Sequence, residues 1–377
     1  MKILYFSRDY CPHDYRFLKA IHDIGHEVFF LRLENSGRNL ESRELPEAVH
    51  EAEWRWREIP YDPRNADAIL SDLKEIFDQI QPDVIHSGPL TDVSWLTAEA
   101  DLHPHAAMSW GFDLMHDIEA DPRLKQNAAI ALHQADWFLG DCYVERDTAI
   151  PLGLKKDHAT IFPWGIDPKQ FCKGNSAVRR ELAEEDEFLL LSTRSLEPNY
   201  RVDITLSAFI AAAAKEPKLK LAILADGSQF NLLRNIADAA PKEIRDRILW
   251  LGRKPNDQLI DYYRAADLYL SASITDGSSV SLLEAMACEI PVLVSDIPGN
   301  LEWVEDGRTG FLFKTGDSAQ MADKILFCYR NRGEMQNITA PARRLIEEKA
   351  DWEKNKYRLT EAYRNAVTVC NSRYDSK

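Results

Sequence analysis

Asp276 and Glu284 stand on either side of a short run, Gly277-Ser278-Ser279-Val280-Ser281-Leu282-Leu283. The serines are helix N-cap types, and the apolar stretch that follows, "VSLLEAMAC", has helical spacing. A helix start leaves backbone N–H groups without carbonyl partners and carries the positive end of the helix dipole, so it attracts an anion. One carboxylate just ahead of that start and another one to two turns inside it can point to the same side. Carboxylates accept hydrogen bonds from hydroxyls. The unit therefore offers two hydroxyl acceptors around a phosphate cradle. A nucleotide-sugar presents the complementary pattern, with hydroxyls on the sugar, hydroxyls on the ribose and a diphosphate between.

Such a site needs a strand to end at Asp276, and "DLYLSAS" (267–273) is a buried-strand pattern that does so. It belongs to a series: "FLLLSTR" (188–194), "LKLAILADG" (219–227), "ILWLG" (248–252) and "IPVLVSD" (290–296). An earlier series runs through "KILYFS" (2–7), "HEVFFLRL" (26–33), "DVIH" (83–86), "HAAMSW" (105–110), "DWFLG" (136–140) and "ATIFP" (159–163). Helical patterns separate these strands, which implies parallel sheets with right-handed crossovers. The fold class read from this pattern is α/β, with two facing, doubly wound, Rossmann-like domains meeting near "PWGIDPKQFCKGNS" (163–176). Ligands of such sheets lie at the carboxyl ends of strands, so the interdomain cleft is the expected site. The expected boundaries are 1–166 for the N-terminal domain and 180–345 for the C-terminal one. The last helix, 352–370, is expected to pack back on the first domain through Tyr357, Leu359, Ala362, Tyr363, Ala366 and Val367.

Bulk composition agrees. A chain of 377 residues is too long for one ordinary core. Six scattered cysteines with no CxxC pair read as reduced thiols of a cytoplasmic protein. No stretch approaches the roughly 20 apolar residues that span a bilayer. Residues 1–166 hold 16 Lys/Arg against 29 Asp/Glu, and the remainder 30 against 32. The acidic first half argues against nucleic acid and against docking on anionic lipid.

The motifs together resemble the retaining glycosyltransferases of family 4, glycosyl transferases group 1, which have the GT-B fold. "EAMACEIPVLVSD" after Asp276 resembles the family's acid–seven residues–Glu motif and its strand. "GNLEWVEDGRTGFLF" (299–313), "LLLSTRSLEPNYRVDITLSAF" (189–209), "LAILADGSQF" and "LWLGRKPNDQLIDYYRAADLYLSAS" resemble four further segments in order. The resemblance implies that Arg194 neutralises the donor diphosphate as the sugar departs. Glu284 would hold the ribose, and Asp276 a hydroxyl of the donor sugar. The backbone at Gly277, Ser279, Val280 and Ser281 would hold a phosphate, with Gly227 in the neighbouring turn and Arg253 near the base.

Departures from the family pattern fall at identifiable positions. The first motif acid is Asp276 where Glu is usual. The family's diphosphate Lys falls near Tyr200, which leaves Arg201 as the candidate substitute. Glu289 stands where Gly is usual and is expected to be exposed. In the N-terminal half "SRDYCPHDYRF" (7–17) replaces a Gly-Gly turn, and the His of an "HGTD"-like segment is Trp110, with Asp113 kept. Asp113 and Asp14 are then candidate catalytic acids, and His13, His86, Trp110 and His116 candidate acceptor-side groups. Trp110 offers an aromatic face on which a sugar ring stacks, so the expected acceptor is a saccharide or small polar molecule rather than a membrane lipid.

Retaining members of the family use the leaving phosphate to take the acceptor's proton, so the protein supplies preorganised charge and orientation rather than a nucleophile. No Asp-x-Asp motif occurs, so no metal and no other cofactor is expected. Neither GxGxxG nor GxxxxGK occurs, which removes nicotinamide and P-loop readings. Two alternatives share the donor motifs: a UDP-sugar epimerase of similar fold, and a non-catalytic nucleotide-sugar-binding relative.

Overall fold

Alternate residues of each strand enter opposite cores, the signature of a parallel sheet covered on both faces. In β8 (Phe188–Ser192), Phe188 and Leu190 join one apolar cluster while Leu189 and Leu191 join the other. The computed structural model describes residues 1–35 and 41–375, and its chain divides into two units. One comprises Met1–Pro163 together with the residues from Glu353 on; the other is Trp164–Trp352.

The N-terminal unit holds β1 (Lys2–Ser7), β2 (Glu27–Arg32), β3 (Val49–Glu51), β4 (Val84–Gly88), β5 (His105–Met108), β6 (Trp137–Gly140) and β7 (Ala159–Ile161) in the order β3-β2-β1-β4-β5-β6-β7. The C-terminal unit adds β9 (Leu219–Ile223), β10 (Ile248–Trp250), β11 (Leu268–Ser271), β12 (Val292–Ser295) and β13 (Phe311–Phe313) to β8, ordered β10-β9-β8-β11-β12-β13. Every pairing is parallel. Both sheets therefore reverse direction beside their first strand, between β1 and β4 and between β8 and β11. Loops at such a reversal diverge and leave a crevice at the strand ends. Arg194 and Asp276 follow the two strands that flank the second reversal.

The division falls at Pro163, ahead of the expected 166, and the C-terminal unit runs on to Trp352 rather than 345. Backbone bonds explain this. Ile166 N–H donates to the Ala350 carbonyl and Trp352 N–H to the Ile166 carbonyl, which stitches the 164–166 segment to the end of the same unit.

The helix Arg358–Asp375 lies in the N-terminal unit, with Leu359, Ala362, Tyr363 and Ala366 fully buried. Tyr357, counted with that apolar face, is instead exposed, and Val367 is half-buried. The Tyr363 hydroxyl lies 2.7 Å from His86 Nδ1, and Thr360 Oγ1 lies 2.9 Å from His26 Nε2. Burial, and then the neighbouring His105, pull His86 down to about 3, so its ring is neutral. Tyr363→Phe strips a fully buried imidazole of its partner and should destabilise the protein by about 1–3 kcal/mol in urea unfolding, with the fold retained. An unchanged midpoint would mean that the Tyr363–His86 bond contributes nothing to holding the helix.

Candidate functional site

The C-terminal unit collects its polar groups at the ends of β8 and β11. Arg194 follows β8 by two residues and is only 8% exposed. Its Nη1 donates to Ser279 Oγ at 2.5 Å and to Ser281 Oγ at 2.9 Å, and its Nη2 to Asp276 Oδ2 at 2.6 Å. The Tyr200 ring covers its face, 4.0 Å from guanidinium carbon to ring centroid. Burial works against the cation, but Asp276 and the surrounding tyrosines outweigh it and hold Arg194 more firmly protonated than usual. Burial also raises Asp276, while Arg194 and Ser279 pull against it. With its side chain 19% exposed and a guanidinium at 2.6 Å, Asp276 is the carboxylate of a genuine ion pair.

The helix Val280–Ala287 starts beside this pair, with Ser279 at its N-cap. Its first-turn amides have no acceptors within the helix. The Ser279 side chain makes no cap bond of its own, because its hydroxyl is taken by Arg194. Glu284 is 5% exposed and its Oε2 accepts from the Tyr263 hydroxyl at 2.7 Å. Tyr269, from β11, donates to Ser281 at 2.8 Å. Two tyrosines thus brace the two ends of the motif from below.

The loop that carries Asp276 is pinned by backbone packing. A methyl group on Gly299 would sit 2.3 Å from the Asp276 carbonyl and 2.6 Å from that of Gly277. Gly227 also lies close against the Leu196 backbone, where an added methyl would sit 2.6 Å from the carbonyl oxygen. The other donor-side candidates spread out. Arg253 is exposed and its N–H reaches Asp226 Oδ2 at 3.2 Å. Arg201 pairs with Asp203 through two nitrogens, both at 2.9 Å, which turns its guanidinium toward that carboxylate. Glu289 is half-buried and paired with Lys173 at 3.2 Å, rather than exposed. Its φ of +57° explains why glycine suits that position.

In the N-terminal unit the candidates divide. Asp14 is fully buried at the third position of helix Pro12–Asp23, where it accepts the Cys11 N–H at 2.8 Å and the Tyr5 hydroxyl at 3.2 Å. Asp113 is also fully buried and accepts from Leu90 N, Ser109 Oγ, Trp110 N and Leu114 N. Both carboxylates are buried and hold turns. His86 is likewise fully buried, in the core. His116 is exposed and lies 2.9 Å from Asp117. His13 and Trp110 remain. Their rings meet edge to face at 5.4 Å, and burial, then Arg16, lower His13 to about 4, so it is neutral. The Trp110 indole also lies against Gly88 at the end of β4.

Sequence reasoning missed the charge network at the ends of β1, β2 and β4. Arg8 bonds Glu34 at 2.7 Å and Asp92 at 3.0 Å, and Arg32 pairs with Asp9. Burial lifts Asp92 to about 6 against the pull of Arg8. The signal was the "SRDY" turn, whose charged residues directly after a buried strand have to be paired. Sequence reasoning also expected no group of metal-ligating residues, yet Asp141, Cys142 and Glu145 come within 4.8 Å of one another. Glu145 accepts the Asp141 N–H at 2.9 Å at the start of helix Tyr143–Ala149, and burial with Asp141 alongside drives it well above the usual carboxylate value. That makes it a helix-start acid of the same kind as Asp14.

Residues 175–345 match the family described as glycosyl transferases group 1. EpsD of Bacillus subtilis, provisionally named a glycosyltransferase, is 26% identical over 78% of this chain and 82% of its own length. The N-acetyl-alpha-D-glucosaminyl L-malate synthase of Bacillus anthracis is 28% identical over 63% of this chain, which spans only 61% of that relative. Among solved structures, Anabaena HepE in complex with UDP superposes with a TM-score of 0.79 at 17% identity, covering 96% of this chain and 99% of that one. The same protein in complex with UDP-glucose gives 0.75 at 18%, over 96% and 98%. At these identities the likeness establishes the fold, two Rossmann-like sheets of the GT-B class.

Gly299→Ala should force the 276–277 loop away and destabilise the protein by about 1–3 kcal/mol. Gly333→Ala, where an added methyl meets nothing within 4 Å, should stay within about 0.5 kcal/mol of the parent. Urea unfolding of the two variants checks both.

Proposed function

We propose, on the premise that the chain belongs to the glycosyl transferases group 1 family, that it moves a hexosyl unit from a nucleotide-sugar to the hydroxyl of an acceptor. The single observation that carries this reading is the buried Arg194, clamped between Ser279, Ser281 and Asp276 at the start of the helix Val280–Ala287. A buried cation beside free helix-start amides suits a diphosphate and gains most as negative charge builds on the leaving oxygen. Glu284 then takes the ribose hydroxyls, and Asp276 a hydroxyl of the donor sugar.

The reaction follows from that charge distribution. The bond from the anomeric carbon to the phosphate oxygen breaks, the acceptor oxygen bonds to the same carbon, and its proton passes to the departing phosphate. Attack on the face that the phosphate leaves retains the anomeric configuration. Arg194 stabilises the charge on the phosphate, and no metal is needed where a guanidinium and helix-start amides already meet it. UDP is the favoured nucleotide, since the similar HepE has been captured with UDP and with UDP-glucose; a GDP-sugar is the next candidate. The acceptor is a saccharide or small polar molecule, for which Trp110 and His13 supply the contacts. Among the described residues no helix is long and apolar enough to cross a membrane.

Incubation with a panel of UDP- and GDP-sugars should release nucleotide slowly without acceptor and form no epimer; an epimer would replace this reading with an isomerase. Arg194→Ala should lower kcat by roughly 100-fold with a smaller change in donor KM, and an unchanged kcat would remove Arg194 from the mechanism. EDTA should leave turnover intact. Trp110→Ala should raise the acceptor KM while donor hydrolysis persists; equal loss of both would assign Trp110 to the fold alone.

A further inference from the structure

Arg194 is the only cation that the C-terminal unit's described residues bring to Ser279, Ser281 and Asp276. Arg201 lies next to the place where the family pattern puts a second cation, but it is turned onto Asp203. Tyr200 occupies that place itself, and the Arg194 guanidinium carbon lies over its ring, 4.0 Å from the centroid. A lysine there would stand near a buried like charge and repel it. An aromatic face attracts it.

The loop that carries Tyr200 is fastened on both sides. Its own N–H donates to the Glu197 carbonyl at 3.1 Å. Ile274 N–H, two residues ahead of Asp276, donates to the Asn199 carbonyl at 2.9 Å. Glu197 Oε1 accepts the Ser228 N–H at 2.9 Å, which ties the same turn to the segment after Gly227. Tyr200 is therefore fixed relative to the Asp276 loop, independently of Arg194. Bonds from Nη1 and Nη2 hold one edge of the guanidinium, Nε is buried with no hydrogen-bond partner, and the Tyr200 ring lies against the group.

We propose that Tyr200 is a positioning residue of a one-cation donor site: its ring face fixes the plane of Arg194, so that a single guanidinium meets the leaving diphosphate where two cations would otherwise share it. This rests on the proposed transferase reading. A pre-set cation costs no reorganisation when charge develops, so the ring acts on kcat more than on donor binding.

The test replaces residue 200 with phenylalanine and with phenylalanines carrying one, two and three ring fluorines, which drain the negative face at nearly constant size. Tyr200→Phe should keep most of the turnover, and kcat should then fall stepwise along the series while donor KM moves little. Tyr200→Leu, which keeps apolar bulk without the face, should lose kcat by roughly tenfold. The fluorinated series carries the test if the leucine variant fails to fold. A flat series with wild-type turnover present would overturn the role of Tyr200 and leave the transferase reading standing, as would a Tyr200→Phe variant as poor as Tyr200→Leu. A wild-type protein that neither turns over any nucleotide-sugar nor binds UDP would sink the transferase reading and this role with it.

Discussion

A positive charge buried to 8% exposure is the constraint around which the C-terminal unit is arranged. An isolated guanidinium cannot be placed there, because removing it from water costs several kcal/mol unless its donors are met. Arg194 is met by one carboxylate, two hydroxyls and a ring face. Each partner imposes a demand of its own. Ser279 can reach Arg194 only because the helix Val280–Ala287 starts at that point, which fixes where β11 must end. Asp276 can reach it only because Gly299 lets the backbone of the 276–277 loop approach closely. The helix dipole, the ion pair and the sheet reversal thereby converge on one place, and a buried charge arranged in this way is worth its cost where it acts on an anion.

The two units use the same strand order around their reversals but spend their acids differently. In the N-terminal unit Asp14, Asp113 and Glu145 each come a few residues after a strand and accept backbone N–H groups of the turn between. Asp14 and Asp113 hold the loops that carry His13 and Trp110. In the C-terminal unit Asp276 faces a side-chain cation instead. An acid in a βα loop is therefore not a catalytic group by position alone; the partner of its carboxylate decides.

Much of this was legible in the sequence. Runs such as "FLLLS" and "VLVS" are short, continuously apolar and bounded by turn residues, which suits strands buried on both faces, and their alternation with helices points to parallel sheets. Asp276, Ser279, Ser281 and Glu284 were readable because capping types, an apolar helix and a following strand occur in an order that one physical arrangement explains; Arg194 was picked out only by the family resemblance. Short edge elements were not readable. Strand β3 has three residues, and β13 is a three-residue "FLF" whose pairing with β12 comes from tertiary context. The burial of Asp14, Asp113 and His86 was not readable because it depends on contacts distant in sequence, such as Tyr363 against His86. Tyr200 could be seen to replace a cation, but only coordinates reveal that its ring lies on Arg194.

The central claim is that Arg194 exists to meet the second phosphate of a nucleoside diphosphate. Calorimetric titration of UDP and UMP into the wild type and into Arg194→Gln tests it most directly. The account requires the wild type to prefer UDP over UMP by roughly tenfold or more, and the variant to lose most of that preference while binding UMP as before. An equal preference in both proteins would contradict it.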